Sequence, residues 1–73
     1  MKPLSAAPFF EPLVISNVQG EPGLTRRLRE MGFRSGCEIR ILGQAPFNGP
    51  FVVQLHDSVL ALRRAEAECL LIK

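Results

Sequence analysis

The segment from Leu28 to Leu42, LREMGFRSGCEIRIL, constrains the fold of this 73-residue chain more than any other part of it. Apolar residues at helical spacing end at Met31, and Gly32 follows at once. Glycine just past a helix accepts the left-handed backbone conformation that lets the chain reverse. Apolar and polar residues then alternate, as in a strand with one buried face. We therefore predict a helix end, a tight turn and a strand over residues 37–42.

The helix itself is predicted over Pro22–Met31. Proline suits the first helical turn, where its missing N–H costs nothing. Leu24, Leu28 and Met31 recur at i, i+4 and i+7 and form one apolar stripe. Phe33 is expected to fold back onto Leu28, a contact that often accompanies a glycine cap.

The rest of the chain contains mostly short β-branched and apolar runs, which are typical of strands. The further predicted strands are Leu13–Val18, Phe51–His56, Val59–Leu62 and Leu70–Ile72, with one helical turn over 63–68. Residues 1–12 contain three prolines and are expected to form a loose N-terminal leader. Five short strands with one inserted helix favour a small, strongly bent β-barrel over residues 13–73.

Composition limits the class of protein. The chain is long enough for one small domain, and its formal net charge is only +2. No apolar run approaches the roughly 20 residues that cross a bilayer, and the N-terminus lacks a signal-peptide core. Two cysteines are too few for a disulfide scaffold. We therefore expect a cytoplasmic protein.

No arrangement of residues suggests catalysis. A nucleophile needs a base within hydrogen-bond reach, and the serines have a single histidine, His56, as a partner. No glycine-rich loop precedes a lysine, so nucleotide binding is also unsupported. We expect a protein that is not an enzyme and carries no cofactor.

Four segments in order resemble the FeoA family: Leu24–Phe33, Gly36–Leu42, Ala45–Pro50 and Leu60–Ala67. The resemblance extends over residues 13–72. It implies a Src-homology-3-like (SH3-like) barrel of about five strands with one inserted helix. It also implies a non-enzymatic accessory protein of ferrous iron uptake. Such a protein would dock on the cytoplasmic GTP-binding region of the FeoB permease, modulate transport, and meet the membrane only through that permease.

Two other functions stay open. A small barrel with excess arginine could bind nucleic acid, although a binder of this size usually has a denser basic patch. Direct Fe(II) handling would need transition-metal ligands, and Cys37, His56 and Cys69 are scattered along the sequence, unlike a close-spaced metal site. We predict no nucleic-acid partner and no metal site. Strand parity predicts that Cys37 is partly buried and that Cys69 faces outward.

The candidate partner-binding residues are charged, aromatic or polar side chains on the helix, the turn after it and the proline-flanked loop. They are Arg26, Arg27, Arg29, Arg34, Phe47 and Asn48. Arginines could meet an acidic partner surface or form a solvated helix face. Phe47 could anchor an interface or cap the end of the barrel core. A weak homo-oligomer is also compatible with a small barrel.

Overall fold

The computed structural model describes all residues from Met1 to Lys73. Its elements are β1 (Lys2–Pro3), a 3₁₀ turn (Leu4–Ala6), β2 (Leu13–Val18), α1 (Pro22–Met31), β3 (Glu38–Gln44), β4 (Phe51–Leu55), β5 (Ser58–Leu62), α2 (Arg64–Ala67) and β6 (Leu70–Ile72). All strands belong to one antiparallel six-stranded sheet in the order β1-β6-β2-β3-β4-β5. The predicted mainly β class with a helix after the first long strand is confirmed, with one strand more than expected.

Two irregularities bend the sheet. The register shifts between Ile15 and Asn17 where β2 meets β6, and between Ile41 and Gly43 where β3 meets β4. An extra residue in one strand of an antiparallel pair bends that strand and increases its twist. The sheet can therefore curve around a small core, and the molecule measures only 27 × 24 × 23 Å.

The core lies inside this curved sheet, and α1 covers part of it. Helix α1 has the predicted bounds, and Gly32 ends it with φ +107°. The Phe33 N–H donates to the Leu28 carbonyl oxygen at 3.0 Å, and both side chains are fully buried. The expected cap contact is therefore confirmed, and it turns the chain toward β3.

The N-terminal residues differ from the expected loose leader. Lys2 and Pro3 pair with Ile72 and Leu71 of β6, and Leu4 is fully buried. The three prolines exclude helix and central strand, but an edge strand tolerates a residue without an N–H. The expectation of a loose leader is therefore wrong for residues 2–4, which are part of the sheet and the core.

Candidate docking surface

The loop between β3 and β4 is held by its own hydrogen bonds. The Ala45 N–H donates to the Pro50 carbonyl oxygen at 2.9 Å, and the Gly49 N–H donates to the Ala45 carbonyl oxygen at 3.1 Å. The Gln44 side-chain amide adds a bond to the Gly49 carbonyl oxygen at 3.2 Å. These hydrogen bonds therefore fix the backbone conformation at the tip of this hairpin.

Phe47 lies at the tip of that loop with its whole side chain in solvent. It is 100% exposed, and its φ of 60° is in the left-handed region. Asn48 follows with φ 57°, a conformation that asparagine tolerates well. The alternative in which Phe47 caps the barrel core is therefore wrong, and the loop presents an aromatic ring on a rigid support.

Two of the three helix arginines bind to other elements of the fold. The Arg27 Nε lies 3.6 Å from Glu66 Oε2, and Glu66 Oε1 accepts the Arg63 N–H at 2.9 Å. The Arg29 guanidinium donates to the Val18 carbonyl oxygen at 3.3 Å. These side chains therefore connect α1 to α2 and to β2, which limits their freedom to meet a partner.

The remaining two candidate arginines differ from each other. Arg26 Nε lies 3.6 Å from Glu30 Oε2 on the exposed face of α1, so its charge is paired within the helix. Arg34 is exposed in the turn between α1 and β3, and its side chain makes no hydrogen bond or ion pair. Arg34 is therefore the candidate arginine whose charge is most available to a partner.

The candidate residues do not form one patch. Arg34 precedes β3, whereas Phe47 and Asn48 follow it. A strand of the 7 residues in β3 spans roughly 20 Å at about 3.3 Å per residue. Arg34 and the loop that carries Phe47 therefore lie at opposite ends of β3.

A polar depression that the sequence did not reveal lies on the outer face of β3 and β4. It has a volume of about 320 Å³ and is open to solvent, and its polar lining residues are Glu38, Arg40, Gln54 and His56. Arg40 is directly opposite Gln54 in the register. Alternation predicts that Glu38 and Arg40 face outward, but only the cross-strand register places the four side chains together.

The three soft metal ligands do not converge. Cys37 is half-buried, as predicted, before β3, while His56 is exposed in the turn between β4 and β5. Cys69 is 5% exposed in the turn between α2 and β6, so the expectation that it faces outward is wrong. No group of three or more His, Cys, Asp or Glu side chains in the structure could hold a metal ion.

Cys69 is buried by contacts from both sides. Its thiol donates to the Ala65 carbonyl oxygen at 3.4 Å, and a Cβ added at Gly20 would lie only 2.6 Å from Cys69 Sγ. Burial raises the pKa of the Cys69 thiol, and the carboxylates of Glu21 and Glu66 raise it further. The thiol is therefore a packed apolar group that stays protonated at neutral pH.

One known family matches both the sequence and this fold. A family model described as the FeoA domain matches residues 2–73. The chain belongs to the FeoA family. This FeoA-family protein is also similar to a crystal structure of Stenotrophomonas maltophilia FeoA complexed with zinc. That protein is described as an SH3 domain protein, with a suggested role as a ferrous iron transport activating factor. The two chains are 34% identical with a TM-score of 0.86, covering 100% of this chain and 91% of that one.

Two solution structures give the same result. Iron(II) transport protein A from Clostridium thermocellum is 30% identical with a TM-score of 0.88, over 97% of this chain and 44% of that one. A FeoA-like protein from Clostridium acetobutylicum is 28% identical with a TM-score of 0.89, over 99% and 84%. A search of curated proteins found no match.

The family is linked to ferrous iron transport, and the SH3-like fold that the resemblance implied is confirmed. The sheet itself is not closed, since β1 and β5 are its two edges. Neither helix of the structure is long and apolar enough to cross a membrane.

Proposed function

We propose that this protein is a cytoplasmic, non-enzymatic accessory protein of ferrous iron uptake that docks on the cytoplasmic GTP-binding region of a FeoB-type permease. It modulates transport by that contact and carries no cofactor. Membership of a family linked to ferrous iron transport supports the physiological setting. The solvent-exposed ring of Phe47 is the single observation that supports docking as the mechanism.

Phe47 has the properties of an interface anchor. Its ring is wholly in solvent, which carries a hydrophobic cost of roughly 1.5–3 kcal/mol that a partner pocket would recover. The loop hydrogen bonds already fix its backbone, so little further ordering is needed on binding. Large aromatic side chains of this kind supply much of the binding energy at protein interfaces. The partner surface is therefore expected to offer an apolar pocket that the ring can enter.

Asn48 and the arginines are expected to contribute less to binding than Phe47. Asn48 neighbours the ring and can supply a polar contact at its edge. Arg34 is free of intramolecular partners but lies at the other end of β3, so it can assist only if the partner covers that whole strand. Arg26, Arg27 and Arg29 are expected to contribute through long-range attraction to an acidic surface rather than by close contact.

Calorimetry with purified components tests the proposal. The chain is titrated into the cytoplasmic domain of its cognate permease, with and without guanine nucleotide, and then into the full-length permease in nanodiscs. Phe47→Ala is expected to weaken binding by at least about tenfold, which is about 1.4 kcal/mol. Phe9→Ala is the matched control, because it also truncates an exposed phenylalanine but lies outside the loop.

Absence of binding to both forms of the permease would overturn the proposal. Binding that Phe47→Ala and Phe9→Ala leave equally strong would retain the partner but reject the loop as the contact.

A further inference from the structure

Strand β5 is an open edge of the sheet without the usual protection. It pairs with β4 on one side and with no strand on the other. Its sequence over Ser58–Leu62, SVLAL, contains no charge, no proline and no bulge. The other edge, β1, is only two residues long and contains Lys2 and Pro3, which are the features that discourage edge pairing. The two edges are therefore protected very differently.

The turn before β5 determines which backbone groups point away from the sheet. His56 and Asp57 form a two-residue turn, with Leu55 and Ser58 opposite each other in the register. In such a hairpin the pair that closes the turn exchanges hydrogen bonds, and bonded pairs then alternate along the ladder. The N–H and C=O groups of Val59 and Ala61 therefore face away from β4.

These outward groups are accessible. Val59 is 59% exposed, and Ala61 is also exposed. Neither residue makes a backbone hydrogen bond to a turn, loop or cap elsewhere in the chain. The edge therefore presents unpaired donors and acceptors beside an apolar side chain that is mostly in solvent.

We propose that β5 pairs antiparallel with β5 of a second copy of this chain, about a two-fold axis at Leu60. In this register Val59 lies opposite Ala61 of the second copy, so residues with outward-facing N–H and C=O groups meet each other. The two Leu60 residues face one another as a non-bonded pair, where side chains approach closely. The two sheets then form one continuous sheet, and Val59 loses much of its exposure.

Charge complementarity favours a second copy of this chain as the partner of β5, and it favours the register about Leu60. Asp57 and Arg63 flank β5 at its two ends, and neither side chain has an ion pair or hydrogen bond within the chain. Pairing about Leu60 places Asp57 opposite Arg63 of the second copy, and the two-fold axis repeats the pair. A shift of two residues in either direction keeps the backbone bonds possible but separates both charge pairs. This dimer does not depend on docking through Phe47.

Amide hydrogen exchange and sedimentation velocity on the intact chain test the dimer. Between ~10 μM and ~1 mM we expect the average mass to rise toward that of a dimer. Over the same range the Val59 and Ala61 amides should become protected from exchange. A mass that stays monomeric, or dimerisation without protection of these two amides, would overturn the proposal.

Charge reversal tests the register. Asp57→Arg and Arg63→Asp should each weaken dimerisation by about tenfold, and the double variant should restore it. Glu11→Arg and Lys73→Glu are the matched controls, because each makes the same change in net charge at an exposed position outside β5. Thermal unfolding confirms that every variant folds. Failure of the double variant to recover, or equal weakening by the controls, would overturn the pairing about Leu60.

Discussion

The Arg27 guanidinium and the Glu66 carboxylate join the two helices, with Nε 3.6 Å from Oε2. The two partners differ sharply in exposure, since the side chain of Arg27 is 71% exposed and that of Glu66 is 8% exposed. The buried carboxylate also accepts the Arg63 N–H at the start of α2. Arg27 therefore helps to stabilise the buried Glu66 carboxylate. Substitution of Arg27 can affect the fold as well as any contact with a partner.

This asymmetry predicts unequal effects on stability. Glu66→Ala should lower the free energy of unfolding by about 1–3 kcal/mol, because it leaves a backbone N–H unpaired at the helix start. Arg27→Ala should cost less than about 1 kcal/mol, because an exposed arginine is screened by solvent and water can replace it. Urea unfolding at pH 7 measures both. An Arg27→Ala variant as unstable as Glu66→Ala would contradict this assignment.

A reversed charge at position 27 would face Glu66 directly. A loss of binding in Arg27→Glu could therefore reflect displacement of α2 rather than loss of a partner contact. Arg34→Glu tests more directly whether an arginine contacts the partner, because Arg34 has no partner within the chain.

The contact between Gly20 and Cys69 gives a second prediction. Gly20 has φ +147°, and a Cβ there would lie 2.6 Å from Cys69 Sγ. Gly20→Ala should therefore cost roughly 2–4 kcal/mol through backbone strain and overpacking together. Gly36→Ala is the control, since φ is +91° but no atom lies within 4 Å of the added Cβ. It should cost only about 1–2 kcal/mol, from backbone strain alone.

A double variant separates strain from overpacking. In a Cys69→Ala background the sulfur is gone. The two remaining contacts of the added Cβ, to the Cβ of residue 69 at 3.5 Å and to Thr25 Cγ2 at 3.9 Å, are ordinary. Gly20→Ala should then cost no more than Gly36→Ala. Equal costs of Gly20→Ala in both backgrounds, measured by urea unfolding, would show that the sulfur contact is not the cause.

The elements that the sequence predicted well depend on local chemistry. The bounds of α1 follow from Pro22 at its start and Gly32 just past its end. The errors involve contacts between distant segments. Residues 2–4 are ordered only because β6, at the other end of the chain, supplies their partner strand. Cys69 was assigned by strand parity, but it lies in the turn between α2 and β6, where alternation does not apply.

The same limit applies to the candidate surface. The exposure of Phe47 depends on which way the hairpin tip points, and two prolines beside it do not determine that. The intramolecular bonds of Arg27 and Arg29 depend on how α1 packs against α2 and β2. A sequence pattern gives the type of side chain on a helix face, but not whether the fold already provides it with a partner.

The raised pKa of Cys69 predicts a stability loss in alkaline solution. Burial raises the thiol pKa above its ordinary value of 9.0, and the negative charge of Glu21 raises it further. Well below pH 9.0 both the folded and unfolded chains hold the proton, so this stabilisation is fully present. As the pH rises further the unfolded chain loses its proton first, so the free energy of unfolding falls until the folded pKa is passed.

Cys69→Ala should remove that alkaline component, and urea unfolding from pH 7 to pH 11 measures it. Cys37→Ala is the control, because Cys37 is only half-buried. A Cys69→Ala variant that loses stability with pH as steeply as the wild type would assign the effect to other groups. Under native conditions at pH 8, iodoacetamide should also alkylate Cys37 well before Cys69.

The backbone conformation of Phe47 predicts that one substitution can raise stability while it weakens binding. A phenylalanine at φ 60° costs about 1–2 kcal/mol, and its exposed ring makes no compensating contact with the core. Asparagine adopts this conformation more easily, so Phe47→Asn should raise the free energy of unfolding by up to about 1 kcal/mol while weakening binding to the permease at least about tenfold. Phe47→Ala keeps most of the strain, so it should lose binding without gaining stability. Urea unfolding and calorimetry on both variants separate the two effects. A Phe47→Asn protein that is less stable than the wild type would mean that the ring supports the loop, and its exposure would then be no argument for a docking role.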